Sequence, residues 1–247
     1  MQTLAGRTCV FAGATGLIGR EAVRALAEGG MNVIMMTHMI EDAETVAKEL
    51  ANCPGKVLYM STALSADEVY QKTFEEFGSI DVVVSSTGVL NRVKPFHEIT
   101  KKELEDKLLH QVSHPFETIQ KTLPYLRKSK SPRIILTASA GAQNGFSGEN
   151  ITDNIARGAV ISMTYSLARE FMDHHITVNC IARSGLINDH IPSKPEDYDV
   201  SSISGQIPAG FIGTGSDYGA LVAYLASEES RFVTGQVFSL SGGIQIG

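Results

Sequence analysis

The sequence predicts a doubly wound α/β fold, a parallel sheet of about seven strands covered by helices, in a single domain. Three observations predict it. Short apolar runs rich in β-branched residues recur along the chain, as in strands buried on both faces. Longer amphipathic stretches separate them, so the order reads βαβ repeatedly. The first run leads through closely spaced glycines straight into a helix pattern. A chain of 247 residues is near the upper size for one core, and it shows no repeat, low-complexity segment or linker.

The strand windows are 7–13, 32–36, 56–60, 81–86, 133–139, 176–182 and 236–242. Two of the helices between them have readable starts. Ser65 with Glu68, and Thr100 with Glu103, fit the capping box, in which side chains satisfy the free N–H groups of a first turn. Long helical patterns occupy 100–127 and 151–173. One irregular stretch, 188–215, holds three prolines and little periodicity; a loop of that length in a compact domain is expected to act as a substrate lid.

Composition narrows the partners. The formal charge is −6 and no basic stripe is present, which argues against nucleic acid and anionic membrane. Neither a signal-peptide pattern nor an apolar run of transmembrane length occurs. The three cysteines, Cys9, Cys53 and Cys180, form no CxxC, and no zinc-type spacing is present. Cys9 and Cys180 lie in apolar runs and read as buried, reduced thiols. A cytoplasmic protein with a small-molecule substrate and no metal is the expectation.

In "VFAGATGLIGREAVRAL", Gly13, Gly16 and Gly19 lie between a strand and an amphipathic helix. Glycines there permit a tight turn and let backbone N–H groups approach a pyrophosphate at the positive end of the helix. The context of strand, turn and helix gives the pattern its weight. A dinucleotide fold that takes NAD carries an acid at the end of strand two to hold the ribose. Here Thr37 and His38 occupy that place, and the first acid is Glu41. The expectation is therefore NADP, with NAD as the alternative, and Thr37 and His38 near a 2′-phosphate.

These segments, in this order, resemble the short-chain dehydrogenase/reductase family, a Rossmann-like fold. The likeness runs from about Leu4 to Gly243. "ALVAYLASEESRFVTGQVFSLSGG" resembles the family's closing segment, and "ITVNCIARSGLI" its sixth strand and following turn. "DVVVSSTG" stands where the family usually writes Asn-Asn-Ala-Gly. The resemblance implies cofactor contacts from Thr15, Leu17 and Ile18 in the first turn, from Ser86 and Gly88 after strand four, and from Gly185 and Ile187 after strand six. It also implies a homodimer or homotetramer joined through the two long helices. The glycine spacing is that of the family's extended branch, whereas length and C-terminus match the shorter one.

The family's chemistry uses a tyrosine, a lysine, a serine and an asparagine. Ser139, closing "SPRIILTAS", keeps the serine. In "ITDNIARGAVISMTYSLAREF", Asp153 stands at the tyrosine position and Arg157 at the lysine position, and Gln111 takes the asparagine position. The usual Pro-Gly after strand six reads Arg183-Ser184-Gly185, and Asp189 replaces a threonine that often contacts cofactor. Asp153 and Arg157 are i and i+4 on one helix, so an ion pair between them is expected, and a nearby guanidinium favours the charged carboxylate. An ionised aspartate does not donate a proton to an alkoxide, and arginine is too weak an acid to do so. Asp153 is then expected to act as a base or to hold a water, with Arg157 on the cofactor ribose or on an anionic substrate group. Tyr198 in the expected lid is a further candidate acid, and Tyr165 reads as packing. The leading expectation is an NAD(P)(H)-dependent oxidoreductase acting on an activated C=C or C=O. The alternatives are a cofactor-binding subunit or sensor, and a non-redox enzyme of the same fold such as a dehalogenase or dehydratase.

Overall fold

The structure, a computed structural model, describes residues 4–88, 94–145, 151–184, 186 and 204–246. Its sheet has seven parallel strands in the order β3-β2-β1-β4-β5-β6-β7. They are β1 (Thr8–Ala12), β2 (Asn32–Thr37), β3 (Val57–Ser61), β4 (Val82–Ser85), β5 (Arg133–Ser139), β6 (Thr177–Arg183) and β7 (Val237–Leu240). Every expected strand window holds one. The strand order reverses between β1 and β4, and in open α/β sheets the crevice at that point is where ligands bind.

Helices α1 (Leu17–Glu28), α2 (Ile40–Glu49) and α3 (Ala66–Phe77) connect the first four strands. Between β4 and β5 run α4 (Lys101–Leu108), a π turn (Leu109–Ser113) and α5 (His114–Leu126). A short α6 (Gly141–Asn144) and the long α7 (Ile151–Glu170) follow β5, and α8 (Gly215–Ala226) precedes β7. Alternate strand residues feed two buried layers. Phe11, Val84, Ile135 and Ile181 meet α1 and α8 on one face. Val10, Val83, Leu136 and Cys180 meet α5 and α7 on the other. This double coverage explains the continuous apolar runs.

Both expected capping boxes form, Ser65 with Glu68 and Thr100 with Glu103. The pattern at 100–127 differs from expectation in one respect: it is broken by the π turn. Pro115 supplies the reason. It lacks an N–H, and its ring would clash with the carbonyl four residues back, that of Gln111, so the helix widens there. The carbonyl of His110 accepts a bond from Thr87 Oγ1 at 3.0 Å, tying the widened turn to the segment after β4.

Most of the expected lid lies outside the described residues. Its last part folds back onto the segment after β7: Ile207 is buried, and the Ala209 amide donates to the Gly242 carbonyl at 2.8 Å. Among the described residues no helix is long and apolar enough to cross a membrane.

Candidate active site

The glycine turn closes over the top of β1. Gly13 has φ +82°, and a Cβ there would lie 2.5 Å from the carbonyl oxygen of Ser86, so neither the backbone angle nor the space admits a side chain. At Gly19 an added Cβ would lie 2.2 Å from the Gly13 carbonyl oxygen, which fixes the approach of α1 to the turn. Gly16 caps α1, and among the described residues no side chain is bonded to the first N–H groups, those of Leu17, Ile18 and Gly19. Uncovered N–H donors beside a turn cleared of side chains suit a diphosphate, so the residues present fit a dinucleotide. Thr15 and Thr37 bring their hydroxyls within 3.5 Å, and Thr37 Oγ1 also accepts the Met39 amide at 2.9 Å. Thr37 is buried while His38 is exposed. Neither residue is an acid, so no carboxylate at the end of β2 opposes a 2′-phosphate.

Ser139 ends β5 at the same sheet edge. It is 6% exposed, and its Oγ has no hydrogen-bond partner among the described residues. Beside it in register on β6 stands Arg183, whose Nε is also buried without a partner among the described residues. A buried hydroxyl left unbonded is costly in a finished core and is expected where a ligand completes the bonding.

Arg157 shows how α7 is set against this edge. Its Nη1 donates to the Thr137 carbonyl at 2.7 Å and its Nη2 to the Thr87 carbonyl at 2.9 Å, so one buried guanidinium joins the ends of β4 and β5. A Cβ at Gly88 would lie 2.8 Å from that Nη2, so the glycine makes room for the arginine. As a crossover helix between parallel strands, α7 runs antiparallel to β5. Asp153 lies one turn, about 6 Å, beyond Arg157. Ser139 lies two residues, roughly 6.6 Å, beyond Thr137. Asp153 and Ser139 therefore both lie beyond the Arg157–Thr137 contact, towards the C-terminal ends of the strands.

The expected ion pair between Asp153 and Arg157 is not formed. Asp153 instead accepts from Lys107 Nζ on both oxygens, each at 2.9 Å, and from Gln111 Nε2 at 2.7 Å. The lysine side chain is 1% exposed and the aspartate side chain 20%. Helical spacing brought Asp153 and Arg157 within reach, but partners across the helix packing won both: a buried cation for the carboxylate, two main-chain carbonyls for the guanidinium. Gln111 is buried in the π turn, and its Oε1 has no partner among the described residues. The structure thus gathers Ser139, Gln111, Asp153 and Arg157 at one end of the sheet and adds Lys107.

Lys107 went unread because "KKELEDKL" looks like a solvated charged helix. Its spacing of i−4 from Gln111 is the signal that puts it on the same inward face. Tyr165, expected to pack, is 48% exposed on α7. Tyr218 is fully buried behind the site, its hydroxyl 2.7 Å from Thr137 Oγ1, and burial raises its pKa. Cys9 and Cys180 are buried free thiols as expected, and burial pushes Cys180 up to about 12. Gly185, Ile187, Asp189 and Tyr198 lie outside the described residues. No His/Cys/Asp/Glu group suited to a metal occurs among the described residues.

A switch-point crevice beside a glycine turn, with Ser139 Oγ at its rim unbonded among the described residues, suits a dinucleotide-dependent enzyme. Comparison with known proteins narrows it. The family described as enoyl-(acyl carrier protein) reductase matches residues 13–245. The 3-oxoacyl-[acyl-carrier-protein] reductase FabG of Thermotoga maritima is 29% identical over 248 residues, covering 98% of this chain and 99% of its own. The protein of that name from Escherichia coli is 29% identical over 240 residues, 97% of each chain. Among solved structures, the Pseudomonas aeruginosa RhlG/NADP active-site complex superposes with TM-score 0.88 at 24% identity, covering 99% of this chain and 98% of that one. Levodione reductase gives 0.86 at 22%, covering 97% of each. The chain belongs to the short-chain dehydrogenase/reductase family and is an oxidoreductase of it, a family that works with NAD(P).

Proposed function

We propose that this protein is an NADP(H)-dependent reductase of a small carbonyl compound. The proton-transfer group at its active site is the Asp153–Lys107 pair rather than a tyrosine. The observation that carries the reading is the buried, unbonded Ser139 Oγ at the sheet edge shared with that pair. When bound, the cofactor supplies or takes a hydride. Ser139 donates to the substrate oxygen and orients it, and Gln111 holds Asp153 in place through its carboxamide. Arg157 fixes the floor beneath Gly88, where the nicotinamide half would rest. Ser86, Gly185 and Ile187 complete that half; Gly13, Thr15, Gly16, Leu17, Ile18 and Gly19 take the pyrophosphate side, and Thr37 and His38 the 2′-phosphate. Tyr198 stays a candidate on the lid.

The names of the relatives make a 3-oxoacyl thioester the first substrate class to try and an enoyl thioester the second. The test is loss of NADPH absorbance with acetoacetyl-coenzyme A and with crotonyl-coenzyme A, beside NADPH and NADH titrations by fluorescence. Turnover of the ketone with NADPH is expected. Substituting Gly19→Leu should abolish NADPH binding, because the side chain would enter the Gly13 carbonyl; unchanged affinity would remove the cofactor assignment. Tighter NADH binding would reverse the choice of NADP.

One observation favours a second reading, a cofactor-binding subunit or sensor: the Asp153 carboxylate already holds three donor contacts within its own chain. Firm NADPH binding with no turnover on either thioester decides for it. The dehalogenase-like reading is disfavoured by a glycine turn kept clear of side chains. A cytoplasmic homodimer or homotetramer belongs to the same proposal. The exposed apolar Phe116 of α5, with Ile155 and Tyr165 of α7, supports it, and sedimentation tests it.

A further inference from the structure

We propose that Lys107 is the proton store behind Asp153: its ammonium supplies, through the Asp153 carboxylate, the proton that completes carbonyl reduction. The inference rests on the reductase reading above and gives its missing acid. Three features carry it. Lys107 lies with its side chain 1% exposed and its Nζ 2.9 Å from both Asp153 oxygens, a buried cation in direct contact with that carboxylate. The Asp153 side chain is 20% exposed and that of Lys107 1%, so the carboxylate, not the lysine, is the member of the pair that a ligand can reach. Finally, free lysine and tyrosine side chains are acids of nearly equal strength, about 10.4 against about 10, whereas arginine lies above about 12. A lysine can therefore serve as a proton donor, whereas a guanidinium such as that of Arg157 cannot.

The step balances. A bound NADPH would supply the hydride, its own C–H bond breaking to leave NADP+; the hydride forms the new C–H bond at the carbonyl carbon, and the C=O π pair moves onto oxygen. A proton passes from Asp153 to that oxygen while Lys107 Nζ gives one to the carboxylate. The site is left with an ionised aspartate and a neutral amine. Water entering past the exposed side of Asp153 restores the ammonium after the product leaves. Lys107 touches Asp153 rather than substrate, so it is a positioning residue that also stores the proton.

The decisive variant is Lys107→Arg, which keeps the positive charge and the bonds to Asp153 but has no proton to give at working pH. With acetoacetyl-coenzyme A and NADPH, kcat should fall by about 10²–10⁴-fold, the range for a lost general acid. KM and the NADPH Kd should stay within about twofold, because an ion pair still holds the site. Should the larger arginine lower the melting temperature, Lys107→Gln is the second variant. It keeps a hydrogen bond to Asp153, lacks an acidic proton, and should lose kcat equally. A merely structural Lys107 predicts the opposite, with Lys107→Arg restoring the turnover that Lys107→Met removes. A Lys107→Arg protein that turns over within about threefold of the parent overturns the proton store and leaves the reductase reading intact. A parent that binds NADPH but reduces neither thioester overturns both.

Discussion

Two carboxylates at opposite ends of the strands show what separates a fastening from a proposed site. Asp81, just before β4, is 7% exposed and accepts from the Thr8 amide at 2.9 Å and from the hydroxyls of Ser79 and Ser129. Those donors are neutral and belong to segments that begin β1, β4 and β5, so the carboxylate clips three strand starts together. Asp153, at the other end, is held by a buried ammonium and a carboxamide from one neighbouring helix. It keeps 20% exposure, at the end that carries the unbonded Ser139 Oγ. The same functional group, similarly bonded, acts structurally where its donors are neutral and every face is covered. On the mechanism proposed above, it becomes chemically available where its partner is a cation and part of it is exposed.

Breaking the fastening should give the larger stability loss. Asp81→Ala orphans a backbone amide and two hydroxyls at once, a cost of roughly 3–5 kcal/mol by the usual penalty for buried unbonded groups. In a chain of this size that lowers the melting temperature by roughly 6–15 °C. NADPH affinity of the folded fraction should not change. A melting temperature equal to the parent's would mean that solvent reaches Asp81.

Removing the charge of Asp153 tests the other half. Asp153→Asn leaves the Lys107 ammonium buried without its counter-charge, for roughly 2–4 kcal/mol, somewhat below a fully buried pair because Asp153 is partly exposed. Turnover should fall as well, with NADPH affinity largely kept. Adding Lys107→Met to an Asp153→Leu background replaces the pair with apolar bulk and should recover most of that stability while activity stays lost. Thermal melts and steady-state rates on the same preparations separate the two effects. If Asp153→Asn melts like the parent, no ion pair holds that carboxylate.

The contrast also explains what could be read in advance. The strands, the two capping boxes, the glycine turn and the place of Ser139 depend on residues near in sequence, and there the pattern is the cause. Asp153 failed differently. Its spacing from Arg157 was read correctly as proximity, but proximity on one helix does not choose a partner. Arg157 went to Thr137 and Thr87, which are 20 and 70 residues away, and Asp153 to Lys107, 46 away. Lys107 itself was hidden among exposed lysines of the same helix, Lys101 and Lys102, which pair at i,i+4 with Glu105 and Asp106 on the solvent face. Only burial tells these lysines apart, and burial is set by packing against α7.

A third carboxylate, half-buried at the start of α4, gives the smallest effect and a pH signature. Glu103 closes the capping box of the helix that carries Lys107 and bonds Lys94 as well. The Lys94 ammonium first, then the Thr100 amide and hydroxyl, lower its pKa from 4.5 to about 2. A folded value below the unfolded one means that the unfolded chain binds the proton more readily. The stabilisation is therefore complete above 4.5 and disappears as pH falls towards about 2. Glu103→Gln keeps a hydrogen-bonding end but not the charge. The difference in urea midpoint between parent and variant should be constant above pH 4.5 and shrink steadily below it. The difference stays small, because water and salt screen a partly exposed pair. A difference that grows with acid would reverse the sign and mean that the Glu103 carboxyl binds its proton more tightly in the folded chain than in the unfolded one.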